Sequence, residues 1–128
     1  IPICPSTLSQ KVALGALEAG REWVQDKVDG LVAHQNAMKD VLKQLQPWGE
    51  VWGGSGAIYL MSKLPNNAPH DTQVVDRLAG EYGVCVIPGS ACGAPGFIRV
   101  CYANLEPVAY EEAISRLDAG LKNLIKNC

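Results

Sequence analysis

Arg99 is the residue of this chain whose setting most demands a chemical explanation. It stands in Gly96-Phe-Ile-Arg-Val-Cys-Tyr-Ala103, an apolar run that reads as a strand. Side chains alternating at period two send Ile98, Val100 and Tyr102 to one face. They send Phe97, Arg99, Cys101 and Ala103 to the other. A guanidinium in such company is costly to bury unless an anion meets it. Its planar fork matches a carboxylate or phosphate at two points. The residues leave two answers open: an internal salt bridge to an Asp or Glu, or a bound anionic ligand.

Other chemistry-bearing residues offer less. Cys4, Cys85, Cys92, Cys101 and Cys128 are odd in number, widely spaced and without a C-x-x-C. They read as reduced thiols of an intracellular protein, not as a disulfide framework or a zinc site. His34 and His70 are too few and too far from those cysteines to suggest a metal. Gly53-Gly54-Ser55-Gly56 precedes a strand, whereas a glycine-rich phosphate cradle follows a strand and opens a helix. Lys63 falls at a strand end.

The elements that must position Arg99 are legible from spacing. Residues 84–87, Val-Cys-Val-Ile, form a short apolar run stopped by Pro88-Gly89, which predicts a buried strand. Gly93, Pro95 and Gly96 complete a tight loop into the Arg99 strand. Residues 57–61, Ala-Ile-Tyr-Leu-Met, read as another strand. Pro5-Ser6-Thr7 opens a helix with Leu8, Val12, Ala16 and Ala19 along one face, and Gly20 breaks it. Over residues 21–46, Val24, Val28, Leu31, Gln35, Met38, Leu42 and Leu45 alternate spacings of four and three. That pattern predicts a helix of about 39 Å, longer than a globular domain usually needs, with Pro47 and Gly49 as its stop. Such a helix lies across a domain or bridges two.

Asp71 or Thr72 caps a short helix with Val74, Val75, Leu78, Ala79 and Tyr82 inward and Gly83 as C-cap. Glu106-Pro107 starts the last helix, whose apolar side is Ile114, Leu117, Leu121 and Leu124. The expected fold is α/β (α+β): a two-layer domain with long N-terminal helices, a small mixed sheet of about three to four strands and a C-terminal helix.

At 128 residues the chain is sized for a single domain, 1–128. Its net charge of −2 and lack of basic runs argue against nucleic acid or an anionic membrane as partner. No apolar run approaches the roughly 20 residues of a membrane span, and no signal-peptide pattern is visible. A cytoplasmic setting is expected. The chain opens Ile1-Pro-Ile-Cys-Pro5 without an initiator Met, so it is expected to be a piece of something longer.

Three stretches then carry a resemblance. Gly54-Ser-Gly-Ala-Ile-Tyr-Leu-Met-Ser-Lys-Leu-Pro65, Val86-Ile-Pro-Gly-Ser90 and Gly96-Phe-Ile-Arg-Val-Cys-Tyr-Ala103 occur in order, with a helix between the first and second. Together they resemble the C-terminal, small domain of fold-type I pyridoxal-phosphate-dependent aminotransferases of class I/II. The sequence looks most like the plant-type aromatic amino acid and methionine aminotransferases. The similarity runs over nearly the whole chain.

What the resemblance implies is specific. Arg99 matches the arginine that grips the α-carboxylate of the amino acid or 2-oxo acid, and Pro88 and Gly89 match the turn that shapes the loop before it. The Schiff-base lysine, the aspartate at the pyridinium nitrogen and most of the phosphate cup lie upstream in that family, in a large domain. This chain is therefore expected to contribute substrate-carboxylate binding through Arg99 and no catalytic, cofactor-binding or metal-binding residue. By itself it is expected to be inactive. Residues 1–46 would form a helical segment bridging towards the large domain, and 47–128 the sheet part. Pyridoxal 5'-phosphate is the implied cofactor and a homodimer the implied assembly. Two departures stand out: Cys92 occupies a position where the family often has Phe, and the loop before Arg99 is short. Two alternatives remain, a lyase on the same scaffold of the aminocyclopropane-carboxylate synthase kind, and a non-catalytic α/β interaction module with Arg99 in a structural ion pair.

Overall fold

The computed structural model describes residues 4–128 and divides the chain into two compact units, Ile1–Val32 and Ala33–Cys128. In the first, helix α1 (Thr7–Glu18) is capped by Ser6, whose side chain accepts from the Ser9 amide. Gly20, at φ +73, adopts the left-handed conformation that breaks α1 from α2 (Gly20–Leu42). None of α1 is buried, and Leu8, Val12, Leu17, Trp23, Val24 and Val28 all stand exposed.

The stripe along α2 therefore changes character along its length. Val28 is exposed, Leu31 is half-buried, and Met38 and Leu42 are buried in the second unit. The helix ends at Leu42, earlier than its apolar spacing suggests. Residues Lys43–Trp48 tighten into a 3-10 turn that accommodates Pro47 and still buries Leu45.

The second unit holds a sheet of four strands, β1 (Trp52–Gly53), β2 (Tyr59–Lys63), β3 (Ile87–Pro88) and β4 (Phe97–Cys101), in the order β1-β2-β4-β3. The fold class is the expected α/β two-layer arrangement, but every pairing is antiparallel where a mixed sheet was expected. The reason is insertion: β4 lies between β2 and β3 and runs against both. The parallel neighbours that β2, α3 and β3 would otherwise make are thus split apart.

The buried strand expected over 84–87 is also corrected. Only Ile87 and Pro88 pair, at the sheet edge, and Ile87 is exposed. Pro88 has no N–H to extend a ladder. Val84 is buried for another reason: its amide bonds the Leu78 carbonyl and completes the end of α3 (Asp71–Tyr82). The strand read at 57–61 lies two residues later, because Ala57 takes a left-handed φ of +56.

The core face of the sheet is Leu60, Ser62, Ile98 and Val100, with α3 against β3 and β4, the 3-10 turn against β2, and α4 (Pro107–Lys126) packed on α3. Helix α3 buries Val74 and Leu78 and ends at Gly83 in the left-handed conformation. Its cap is His70, whose ring accepts from the Thr72 amide, and not Asp71 or Thr72. Helix α4 buries Leu117, Leu121 and Leu124 as expected and adds Tyr110 and Gly120. Tyr110 stacks on His34 with ring centroids 4.1 Å apart, and its hydroxyl donates to the His34 carbonyl. Burial is the main reason its phenol is pushed up to about 12, with Cys101 nearby adding to the shift.

Gly120 sets how closely α3 and α4 approach. A Cβ there would meet Leu78 Cδ2 at 2.5 Å and the Tyr82 ring at 3.3 Å. Gly120→Val should cost on the order of 2 kcal/mol by overpacking, lowering the melting temperature by about 5–10 °C. Gly80, also helical, would place a Cβ in open space. Gly80→Ala should gain about 0.5–1 kcal/mol from helix propensity alone. Thermal unfolding of both variants checks the pair, and equal melting temperatures would refute the tight-contact reading.

Candidate functional site

The face of the sheet turned away from α3 and α4 is built by alternation on β2 and β4. Arg99 is flanked across the strands by Met61 and Ile87, and Phe97 by Lys63. Trp52 opposes Met61 from β1, and its ring packs on Phe97 with centroids 4.6 Å apart. Tyr59, diagonal to Arg99, lies under the guanidinium, whose carbon is 4.6 Å from the ring centroid. The expected split of faces holds. Ile98, Val100 and Tyr102 are buried, while Phe97, Arg99, Cys101 and Ala103 are half-buried.

Among the described residues, no carboxylate lies within ion-pairing distance of Arg99. Its Nε is buried and has no hydrogen-bond partner. The acidic partner that a structural ion pair requires is therefore not found on this chain's described residues. What remains is a planar cation on an open, apolar and aromatic face.

Two anchors fix the strands that carry it. The first is Asp71, which sequence reading placed only as a possible helix cap. It is 1% exposed, and its carboxylate receives the Ser90 amide at 2.7 Å, the Ser90 hydroxyl at 2.9 Å and the Gly96 amide at 3.2 Å. Burial pushes this carboxyl upward, but the bonds from Ser90 and Gly96, with His70 alongside at 3.0 Å, outweigh it. Together they hold it below the usual carboxylate range. Asp71 thus clips both ends of the loop that delivers Phe97 into β4. Inside that loop the Ala94 amide bonds the Gly89 carbonyl at 2.9 Å. A Cβ on Gly89 would meet the Ala94 oxygen at 2.2 Å, so only glycine fits.

The second anchor holds the approach to β2. The Tyr102 hydroxyl donates to the Ala57 carbonyl at 2.8 Å and accepts from Gln35 Nε2 at 3.1 Å. Gln35 also donates to the Gly54 carbonyl, and Lys39 donates to Gln35 Oε1. Gln35, which sat oddly in an apolar heptad, is there to tie the 53–57 loop to α2.

Other features of the unit offer no comparable grip. A cavity of about 270 Å³ is lined by Met38, Val84, Val100, Cys101, Tyr110 and Leu117 among others, and Arg99 is not part of its wall. Among the described residues no group of His, Cys, Asp and Glu gathers as a metal site, and the cysteines are free. Among the described residues no helix is long and apolar enough to cross a membrane.

Comparison with known proteins gives this chain a family. The sequence profile of aminotransferase class I and II matches residues 2–117, and the chain belongs to that pyridoxal-phosphate-dependent family. It is 42% identical over 127 residues to the aromatic aminotransferase ISS1 of Arabidopsis thaliana, covering 98% of this chain and 32% of that protein. It is 25% identical over 130 residues to the aspartate aminotransferase of Rhizobium meliloti. The crystal structure of aspartate aminotransferase from Thermotoga maritima superposes with a TM-score of 0.75 at 29% identity, over 93% of this chain and 29% of that one. The chain thus spans about a third of the length of the curated relatives it matches.

The residues around Arg99 do not fit pyridoxal phosphate itself. They offer one guanidinium among apolar side chains, while the amides of β2 and β4 are engaged in the ladder and form no phosphate cradle. Lys63, on the same face, packs its stem on Gly49.

Proposed function

We propose that this chain is the substrate-carboxylate-binding small domain of a pyridoxal-phosphate-dependent aminotransferase. The full enzyme would transfer an amino group between an amino acid and a 2-oxo acid. The observation that carries this reading is the Arg99 guanidinium, unpaired by any described acid and set on an open sheet face. Arg99 binds the substrate α-carboxylate through two parallel N–H donors, which orients the α-carbon as well as holding it. The cofactor, held by residues outside this chain, supplies the electron sink when bound. This chain contributes position.

The character of the face supports an aromatic or methionine substrate. Trp52, Tyr59, Met61, Ile87 and Phe97 share the face of Arg99 and carry no charge; Lys63, opposite Phe97, does, but its stem lies along Gly49. The exposed apolar residues of α1 and the first half of α2 support contact with the large domain of the same enzyme. A cytoplasmic homodimer is the setting proposed for the whole.

The test is the full-length enzyme, loaded with pyridoxal phosphate and offered phenylalanine, tyrosine, methionine and aspartate with a 2-oxo acid. Formation of the matching oxo acid, fastest from the aromatic amino acids or methionine, is the expected result. Cleavage of the amino acid without amino transfer would instead make the enzyme a lyase on this scaffold.

A further inference from the structure

We infer that Tyr59 is a positioning residue that sets the plane of the Arg99 guanidinium, an inference that rests on Arg99 being the carboxylate grip. The reason lies in what holds Arg99 and what does not. A guanidinium is usually aimed by acceptors around its own N–H groups. Here no described carboxylate is near it, and Nε is buried without an acceptor. Its cross-strand neighbours, Met61 and Ile87, are apolar and impose no hydrogen-bond geometry. Its flat neighbour is the Tyr59 ring, 4.6 Å from the guanidinium carbon.

The cation lies over the face of that ring, and its N–H groups turned away from the ring are the ones that can serve a two-point grip. The ring is itself well placed to hold. Tyr59 begins β2 opposite Cys101, and the residues just before it are tied down. The Tyr102 amide bonds the Ile58 carbonyl at 3.2 Å, and the Tyr102 hydroxyl bonds Ala57. The left-handed φ of +56 at Ala57 directs the chain into that start. Tyr59 is nonetheless 41% exposed, so its position owes little to core burial.

The experiment uses the full-length enzyme loaded with pyridoxal phosphate, with Tyr59→Leu, Tyr59→Phe, Arg99→Lys and the Tyr59→Leu/Arg99→Lys double variant. The readout is the ratio of kcat/KM for an amino acid to that for its carboxamide, alongside melting temperature. A merely structural role would lower stability without changing that ratio. Tyr59→Leu should reduce the carboxylate preference by about threefold to tenfold, through the loss of the ring beneath the cation. Tyr59→Phe keeps the ring and should recover most of it. In the Arg99→Lys background, Tyr59→Leu should add little, because the group it aims is gone.

Full multiplication of the two losses would overturn the inference. So would a changed ranking among amino acid side chains with the carboxylate ratio intact, since Tyr59 would then touch the side chain. Arg99→Lys with a normal ratio would sink the carboxylate reading itself. An impaired Arg99→Lys beside a normal Tyr59→Leu would sink only the role of Tyr59. Should Tyr59→Leu fail to fold, Tyr59→Met removes the ring with an unbranched chain and gives the same readout.

Discussion

Arg99→Lys in the full-length enzyme should lower kcat/KM for the carboxylate substrate by at least about tenfold while leaving the fold intact. Lysine keeps the charge but replaces a planar two-point donor with a flexible point charge. One of the paired, charge-assisted hydrogen bonds is lost, a cost of roughly 1.5–3 kcal/mol, which appears directly in the transition-state free energy. Misplacement of the α-carbon can deepen the loss. Stability should change little, because the wild-type guanidinium has no described acid to leave behind. Cofactor absorbance should survive, since the role proposed for Arg99 is on the substrate. A structural ion pair predicts the reverse, a marked fall in melting temperature with near-normal turnover. Measuring rate and melting curve on the one variant separates the two.

Asp71→Ala should be among the most destabilising single changes in this chain. It removes an acceptor that holds two amides and a hydroxyl, in a site that is 1% exposed. The Ser90 and Gly96 amides would be left facing a void. Each orphaned buried donor costs about 1–3 kcal/mol, so a loss of about 3–5 kcal/mol is expected. For a domain of this size that is a fall of more than about 10 °C in melting temperature. Asp71→Asn should cost less, since the amide oxygen still accepts from the two amides and its nitrogen can face the Ser90 hydroxyl.

The same carboxylate predicts a pH dependence. Its folded pKa lies below the unfolded value, so its contribution is fully present above the unfolded pKa, about 3.9 for aspartate. It is lost as pH falls from there through the lower folded pKa. Acid titration of thermal stability should therefore show an extra loss below about pH 4 in the wild type relative to Asp71→Asn. Identical acid limbs for the two proteins would show that the clamp does not depend on charge.

Much of the scaffold was open to local reading because its causes are local. Gly83 ends α3 because a left-handed position follows the last turn. Pro107 opens α4 because its missing N–H is one that a first turn leaves unpaired anyway. The face of β4 that carries Arg99 followed from alternation alone, and so did its same-strand neighbours Phe97 and Cys101. The same reasoning overran at 84–87, where an apolar run looked like a strand. Whether such a run pairs depends on which neighbour lies beside it, and β4 offers a partner only to Ile87 and Pro88.

By itself the sequence determined the chemistry on offer: a single guanidinium in an apolar strand, thiols without metal spacing, and helices whose apolar faces had to be covered. It also determined the family, because ordered motifs survive where individual ones would not. Only the tertiary structure showed that no carboxylate of the described residues reaches Arg99, since a salt bridge and an open grip look alike in the sequence. It alone turned Asp71 from a possible cap into a clamp, and put Tyr59 under the guanidinium. Those contacts join residues 19, 25 and 40 positions apart (71 to 90, 71 to 96, 59 to 99). Helix and strand periodicities describe how neighbours along the chain share a face. They carry no information about which distant segment closes against that face, and here that closure places the Tyr59 ring beneath the cation.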